Sequence, residues 1–206
     1  MSLTQYYTAT SLDGFIADPD NSLDWLFTRK REDDGLLNYG TFIAGIGAIA
    51  MGSTTYEWIF DHEFAGKDPA EWKWPYDVPC WVFTHRQLPV VPAAPIEFTS
   101  ADVATVHAAM LRAAGDRNVW IVGGGDLAGQ FADAGLLDEV IVSIAPVTLG
   151  GGCASAAAAD RAASGRSGTE RRLRLRQVLR RAPTRLTSVG GVAVVLSVKL
   201  SSGRGT

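Results

Sequence analysis

The sequence predicts a single-domain α/β protein built on a mainly parallel sheet. Short apolar runs alternate with helix-like stretches along most of the chain, which is typical of strand–helix–strand units. A length of 206 residues suits one domain with a sizeable core. The composition, 47% apolar and 20% charged, is that of a globular protein.

The elements follow from the apolar pattern and its turn signals. Strands are predicted, in chain order, at 6–10, 15–17, 48–51, 79–83, 96–98, 119–122 and 139–145. Helices are predicted at 33–44, 54–60, 102–114 and 127–134. Asp102 is a suitable N-cap for the third helix, and Gly115 a suitable stop. The charged, Trp-rich stretch 61–76 is predicted to be a loop.

The last quarter of the chain is predicted to add a hairpin at the edge of the sheet. Residues 153–170 lack large apolar side chains, so we expect a mobile insertion there. Strand-like runs follow at 173–180 and 192–200, and the Gly-Gly pair between them favours an antiparallel hairpin. One domain therefore spans 1–200, and 201–206 form a loose tail.

Several classes of function are disfavoured by composition. No apolar run approaches the roughly 20 residues that cross a bilayer, and the N-terminus lacks the pattern of a signal peptide. Two cysteines give no disulfide framework, and three scattered histidines show no metal-ligand spacing. We expect a cytoplasmic protein with no membrane partner and no metal.

The basic C-terminal part raises the question of nucleic-acid binding. Residues 153–206 carry 11 Lys or Arg against 2 Asp or Glu. However, the run 172–176 alternates arginine with leucine, as in a strand with one wet face, and no aromatic platform accompanies the charge. We therefore expect no nucleic-acid partner, and binding through the basic tail stays a third hypothesis.

The run Val-Trp-Ile-Val-Gly-Gly-Gly-Asp-Leu at 119–127 is the most informative motif. An apolar strand ends in three glycines and a helix-like stretch begins at once, so backbone N–H groups and the helix dipole are available to phosphate. The alternative is a tight corner between strand and helix. The spacing is not the G-x-G-x-x-G of the dinucleotide fingerprint.

Four motifs in order resemble one family. They are Thr-Ser-Leu-Asp-Gly-Phe-Ile-Ala at 10–17, Met-Gly-Ser-Thr-Thr-Tyr-Glu at 51–57, Val-Gly-Gly-Gly-Asp at 122–126, and Gly-Leu-Leu-Asp-Glu-Val at 135–140 leading to Ala-Pro-Val-Thr-Leu-Gly-Gly-Gly at 145–152. The chain resembles the dihydrofolate-reductase-like superfamily. It is similar to the branch with the reductase domain of riboflavin-biosynthesis proteins and its single-domain bacterial relatives.

The resemblance implies a three-layer fold, NADPH as cofactor and a homodimer. In this fold a twisted, mostly parallel sheet of about eight strands has helices on both faces, and here it would carry the C-terminal antiparallel hairpin. One Gly-Gly peptide of the glycine turn is often cis in the family. We expect no deaminase domain.

The resemblance also assigns cofactor contacts. The pyrophosphate would meet the glycine turn (Gly123, Gly124, Gly125, Asp126, Leu127) and a second turn (Gly52, Ser53, Thr54, Thr55), for which a plain N-cap is the alternative. The adenosine 2′-phosphate would meet Thr84, His85 and Arg86, although three solvated loop residues would look the same. Ala9 and Ile16 would flank the nicotinamide.

The substrate site is less well defined. Asp13 matches an active-site strand end and is the candidate catalytic and substrate-binding acid, although Asp-Gly is also a turn signal. Trp25 would line the pocket or lie in the core. The first helix offers Glu32, Asp33 and Asp34, among which no gap-free match selects one, and Asp34 is taken as the tentative substrate-binding acid. Acids there also stabilise a helix start, and without a shift Leu36 falls at the family's acidic position.

Three further tryptophans, Trp58, Trp72 and Trp74, would stack on a flat heterocycle or form a dimer surface. The first hypothesis is an NADPH-dependent reductase of a small pterin- or pyrimidine-like substrate, by hydride transfer from the nicotinamide. The alternative is a non-catalytic nucleotide-binding or interaction module of the same fold.

Overall fold

The computed structural model describes residues 2–27, 39–155, 184–189 and 193–199, the last two ranges by their backbone. The strands are β1 Thr4–Thr10, β2 Phe15–Ala17, β3 Ile46–Gly52, β4 Cys80–Phe83, β5 Ile96–Thr99, β6 Asn118–Val122, β7 Glu139–Ile144, β8 Cys153–Ala154, β9 Thr184–Val189 and β10 Ala193–Lys199. The helices are α1 Asp24–Phe27, α2 Tyr39–Ala44, α3 Ser53–Phe64, α4 Val103–Ala114 and α5 Gly125–Asp133, with a 3-10 turn at Pro69–Glu71.

Eight strands form one sheet in the order β5-β4-β3-β6-β1-β7-β10-β9. The first six are parallel to one another. β10 lies antiparallel to β7, and β9 lies antiparallel to β10. The predicted eight-stranded, mostly parallel sheet with a C-terminal antiparallel hairpin is confirmed. β2 and β8 pair with each other in a small second sheet.

Helices pack on both faces of the large sheet, which gives three layers. The central strand β3 is buried on both sides, because Ala48 and Ala50 face one core cluster and Ile49 and Met51 face the other. The first cluster contains the buried residues of α4 and α5, and the second contains those of α3. α3 and α5 therefore cover opposite faces of the sheet.

Most predicted elements are found with ends shifted by a few residues, and α3 and α1 differ most from the predictions. α3 runs on to Phe64 because Phe60 and Phe64 continue, at helical spacing, the apolar face begun by Tyr56. Of the predicted helix 33–44, residues 39–44 are described, and they form α2. α1 was not predicted. The predicted strand 173–180 lies outside the described residues, and the strand found to pair with β10 is β9.

Residues 153–155, at the start of the predicted insertion, are described. Cys153 and Ala154 form β8, and the Ser155 N–H donates to the Gly14 carbonyl at 2.9 Å. The rest of 153–170 lies outside the described residues. No helix in the described ranges is long and apolar enough to cross a membrane.

The order of the strands opens a crevice beyond the carboxyl ends of the central strands. β3 and β6 are neighbours, yet the chain leaves β3 towards β4 on one side and leaves β6 towards β7 on the other. Such a reversal separates the connections beyond the carboxyl ends of the two strands. α3 and α5 both begin at this point.

Candidate functional site

Two helices start side by side at the crevice without a side-chain cap. Met51 of β3 pairs with Val122 of β6, so the turns that follow lie next to each other. Gly52 caps α3 and Gly124 caps α5, and a glycine has no side chain that could accept from the helix N–H groups. Among the described residues, no side-chain hydrogen bond is recorded at either cap. By contrast, Asp102 caps α4 by accepting from the Thr105 N–H at 2.9 Å. The first N–H groups of α3 and α5 are therefore left to a ligand or water.

The two predicted phosphate turns are in direct contact. Gly123 has φ +83°, and a Cβ built on it would overlap the side chain of Thr55. The Gly123 carbonyl accepts from the Tyr6 hydroxyl at 3.0 Å. A glycine is required here by both the backbone angle and the close approach. The structure thus joins two motifs that lie almost 70 residues apart in the chain.

The other residues of these turns differ in exposure. Thr54 and Asp126 are exposed, whereas Ser53 and Thr55 are half-buried. Asp126 accepts from the Gln130 side chain at 3.1 Å. Leu127 is buried in the core, so its backbone is the part that could face a ligand. No described peptide bond is cis, so the cis Gly-Gly peptide common in the family is not found here.

The loop that follows β4 carries the next predicted group. Thr84 Oγ1 accepts from the Arg86 N–H at 2.9 Å, and the exposed His85 lies between them. The Arg86 guanidinium forms an ion pair with Glu57 of α3, with Nη2 and Oε2 2.7 Å apart. The loop is thereby tied to the helix whose start lines the crevice.

Ala9 and Ile16 lie near the carboxyl end of β1. Ala9 pairs with Ser143 of β7, beyond the point where β6 ends. It is half-buried, like Ile16 of β2. Ala9 is therefore at the end of the sheet where α3 and α5 begin. Ile16 belongs to β2, which follows directly, since the Ser11 N–H after β1 donates to the Phe15 carbonyl.

Asp13 is held as an anionic hydrogen-bond acceptor. Its carboxylate accepts from Ser11 Oγ at 2.6 Å, from the Gly150 N–H at 2.8 Å and from the Leu149 N–H at 3.1 Å. The Ser11 hydroxyl, with the two backbone N–H groups, lowers the pKa of Asp13 to about 2. This carboxylate joins the β1–β2 turn to residues 149–150 and carries no proton to give near neutral pH.

The remaining substrate candidates have different outcomes. The indole N–H of Trp25 is buried and has no hydrogen-bond partner in the described part of the chain. Asp34 lies outside the described residues. Trp74 is buried in the core, 5.4 Å from the Tyr56 ring, and Trp72 packs on Phe60 and Phe64. Trp74 therefore offers no free stacking face, and one face of the half-buried Trp72 lies against Phe64, because the stretch predicted as a loop folds onto α3.

An open cavity of about 760 Å³ lies beside the crevice and was not predicted from the sequence. The turn before α1 and one face of α3 line it, including Thr54, Trp58 and His62. Trp58 and His62 stack with ring centres 4.8 Å apart. The i, i+4 spacing of Trp58 and His62 is the sequence signal for this face, but it applies only if the helix continues past residue 60, where the prediction ended. No three His, Cys, Asp or Glu among the described residues are grouped to hold a metal.

Comparison with known proteins gives a consistent result. The model of the RibD C-terminal domain matches residues 4–184. The uncharacterized protein YwjB of Bacillus subtilis is 31% identical over 156 residues, covering 72% of this chain and 79% of that protein. YyaP of the same organism is 27% identical over 148 residues, covering 70% and 74%.

Solved structures share the fold at low sequence identity. A putative riboflavin biosynthesis protein from a Shewanella species aligns with a TM-score of 0.66 at 19% identity, covering 97% of this chain and 99% of that one. A deaminase/reductase from Thermotoga maritima aligns with a TM-score of 0.57 at 14% identity. This chain covers 97% of its own length there but 56% of the longer protein.

Proposed function

Because the chain belongs to the RibD C-terminal domain family, we propose that it is an NADPH-dependent reductase of a small heterocyclic substrate of pterin or pyrimidine type. The name of the Thermotoga relative includes a 5-amino-6-(5-phosphoribosylamino)uracil reductase, which supports the oxidoreductase class for this fold.

One observation carries the proposal: two glycine-capped helix starts meet at a sheet crevice. The first N–H groups of α3 and α5, with the hydroxyls of Ser53 and Thr55, form a set of donors that suits a pyrophosphate. A Cβ on Gly52 or Gly124 would meet nothing within 4 Å, so both turns are open to a ligand. The residues present therefore fit the cofactor.

The loop after β4 supports NADPH rather than NADH. Arg86 can bind a phosphate dianion through two N–H groups, and Thr84 and His85 add a hydroxyl and an imidazole. The guanidinium of Arg86 already forms an ion pair with the carboxylate of Glu57, so its position is suited to binding an anion. We propose that a 2′-phosphate takes that role on binding.

The cofactor would supply the hydride, and the chain's own residues orient the reactants. Ala9 and Ile16 would pack beside the nicotinamide, while Trp25 and Asp34 would contact the substrate. Asp13 stays the tentative catalytic residue of the sequence prediction. Its three hydrogen bonds and low pKa favour a positioning role for the turn that it holds.

A nucleotide-binding module without turnover is the second candidate. It is supported by the hydrogen bonds of Asp13, which tie this carboxylate to Ser11 and to the backbone of residues 149–150 and so favour a structural role for the one acid assigned to catalysis. Binding without NADPH oxidation across pterins, folates and ribitylaminopyrimidines would select this candidate. Homodimerisation and a cytoplasmic location stay predictions.

The test is thermal stabilisation by cofactor. At 100 times its Kd, NADPH adds about 2.7 kcal/mol to the free energy of unfolding, or about 5–10 °C in Tm for a chain of this size. NADH should give a smaller shift. If millimolar-range NADPH leaves Tm and nicotinamide fluorescence unchanged, the proposed function is wrong.

A further inference from the structure

A buried serine hydroxyl lies in the turn between β1 and β2. Ser11 is 1% exposed. Its Oγ donates a proton to Asp13 Oδ1 at 2.6 Å and accepts from the Phe15 N–H at 2.9 Å. An ionised carboxylate only accepts hydrogen bonds, so the direction of both bonds is fixed. The hydroxyl of Ser11 therefore connects the carboxylate of Asp13 to the first residue of β2.

The carboxylate connects the same turn to the segment that follows β7. Asp13 accepts from the N–H groups of Leu149 and Gly150 at 3.1 and 2.8 Å. Beside it, the Leu12 N–H donates to the Val147 carbonyl at 2.8 Å. The segment after β7 thus fixes the turn, and the serine hydroxyl carries that position on to β2.

β2 depends on such bonds because it is short and lies outside the large sheet. It has three residues and pairs with the two residues of β8. A strand pair of this length is marginal without further contacts. Ser11 bonds the start of β2 twice, since its own N–H also donates to the Phe15 carbonyl at 2.9 Å. Loss of the hydroxyl would remove the acceptor of the Phe15 N–H and loosen this strand.

Ile16, the next residue of β2, is the proposed neighbour of the nicotinamide. It is half-buried, so part of the residue is open to a ligand. Resting on the proposed function, we infer that Ser11 is a positioning residue, whose hydroxyl fixes β2 so that Ile16 contacts the nicotinamide ring. The adenosine and phosphate contacts, at the starts of α3 and α5 and in the loop after β4, do not depend on this hydroxyl.

The test compares NADPH with adenosine 2′,5′-bisphosphate, which has the adenosine, the 2′-phosphate and one 5′-phosphate but no nicotinamide. Isothermal titration calorimetry on the full chain gives both Kd values. Ser11→Ala should weaken NADPH binding about three- to tenfold, because the loosened strand must be ordered when the nicotinamide binds. The Kd of the bisphosphate should stay within about twofold of the wild-type value, since its contacts are separate from β2.

A matched control removes a hydroxyl at the opposite end of β1. Thr4 is as buried as Ser11, and its Oγ1 lies 2.8 Å from His107 Nε2. Thr4→Val should lower Tm and leave the ratio of the two Kd values unchanged. Asp13→Asn, at a less buried position in the same chain of hydrogen bonds, should shift the ratio in the same direction as Ser11→Ala. It provides the test if Ser11→Ala does not fold.

Two results would overturn the inference alone. They are an unchanged ratio of Kd values in Ser11→Ala and Asp13→Asn, and an equal weakening of both probes in Ser11→Ala. In either case the wild type still binds both probes, so the proposed function stands. A wild type that binds neither NADPH nor the bisphosphate at about 1 mM rejects the proposed function and the inference with it.

Discussion

Replacing Gly124 by aspartate should change stability and cofactor affinity in opposite directions. Gly124 has φ −58° and ψ 137°, angles that any residue adopts, and a Cβ there meets nothing within 4 Å. Aspartate is a preferred N-cap, so its carboxylate should accept from the open N–H groups of α5. The variant would thus fill with a side chain the position that we assign to a phosphate.

The size of each effect follows from the geometry. Capping adds a few tenths of a kcal/mol over glycine, an acid at a helix start adds about 0.3–1, and loss of glycine freedom in the unfolded chain adds about 0.4–1. The sum, roughly 1–2 kcal/mol, raises Tm by about 2–8 °C. Affinity for NADPH should fall roughly 100-fold, because two charge-assisted hydrogen bonds are lost and two anions compete for one site.

Differential scanning fluorimetry and nicotinamide fluorescence measure the two effects on one sample. Gly124→Asn is the matched control: it caps the helix without charge and should lose less affinity. Asp102→Ala removes the cap of α4, so it should cost about 0.5–2 kcal/mol of stability and leave NADPH binding unchanged. Unaltered NADPH affinity in Gly124→Asp would refute phosphate binding at α5, and a lower Tm would refute the open helix start.

Three further predictions concern single contacts. Glu57→Gln frees Arg86 from an exposed ion pair and should tighten NADPH binding about 2–5-fold without changing NADH binding. The control Asp61→Asn, about one helical turn along α3, should leave NADPH binding unchanged. Equal changes for both cofactors in a fluorescence titration of Glu57→Gln would contradict this. Asp13→Asn should lower the urea midpoint at neutral pH. The pKa of Asp13 is lowered from 3.8 to about 2, so its contribution to the free energy of unfolding is full above pH 3.8 and is lost on acidification. The urea midpoints of wild type and variant should therefore converge near pH 2. A difference in midpoint that persists there would count against this role. Gly123→Ala should lower the free energy of unfolding, measured in urea, by more than about 2 kcal/mol, because φ is positive and Thr55 blocks the Cβ. The control Gly129→Ala, within α5, should stabilise the protein slightly. Similar urea midpoints for the two variants would contradict the contact between Gly123 and Thr55.

The sheet was predictable because its central strands are buried on both faces. Such strands appear in a sequence as short unbroken apolar runs, as at 48–51 and 119–122, and turn residues mark their ends. The end of α3 was missed because Asp61, His62 and Glu63 are polar or charged, although Phe64 beyond them is buried. β8 has two residues and depends on pairing with β2, which no local pattern encodes.

For the site, local motifs indicated the cofactor turns but not their surroundings. The glycine run and the turn at 52–55 were recognisable separately, and the sheet register brings them together. The ion pair between Arg86 and Glu57 joins residues 29 positions apart on different elements, so spacing alone could not show it. The cavity is likewise assembled from the turn before α1 and a face of α3.

The antiparallel position of β10 beside β7 has a consequence for biosynthesis. β7 ends at Ile144 and β10 begins at Ala193, so one flank of β7 stays unpaired while roughly 50 residues are added. At about 5–20 residues per second, ribosomal synthesis of that stretch takes several seconds. During this time the nascent chain exposes a strand edge able to pair with a neighbour. The length of the segment between β7 and the hairpin therefore sets how long co-translational folding must wait.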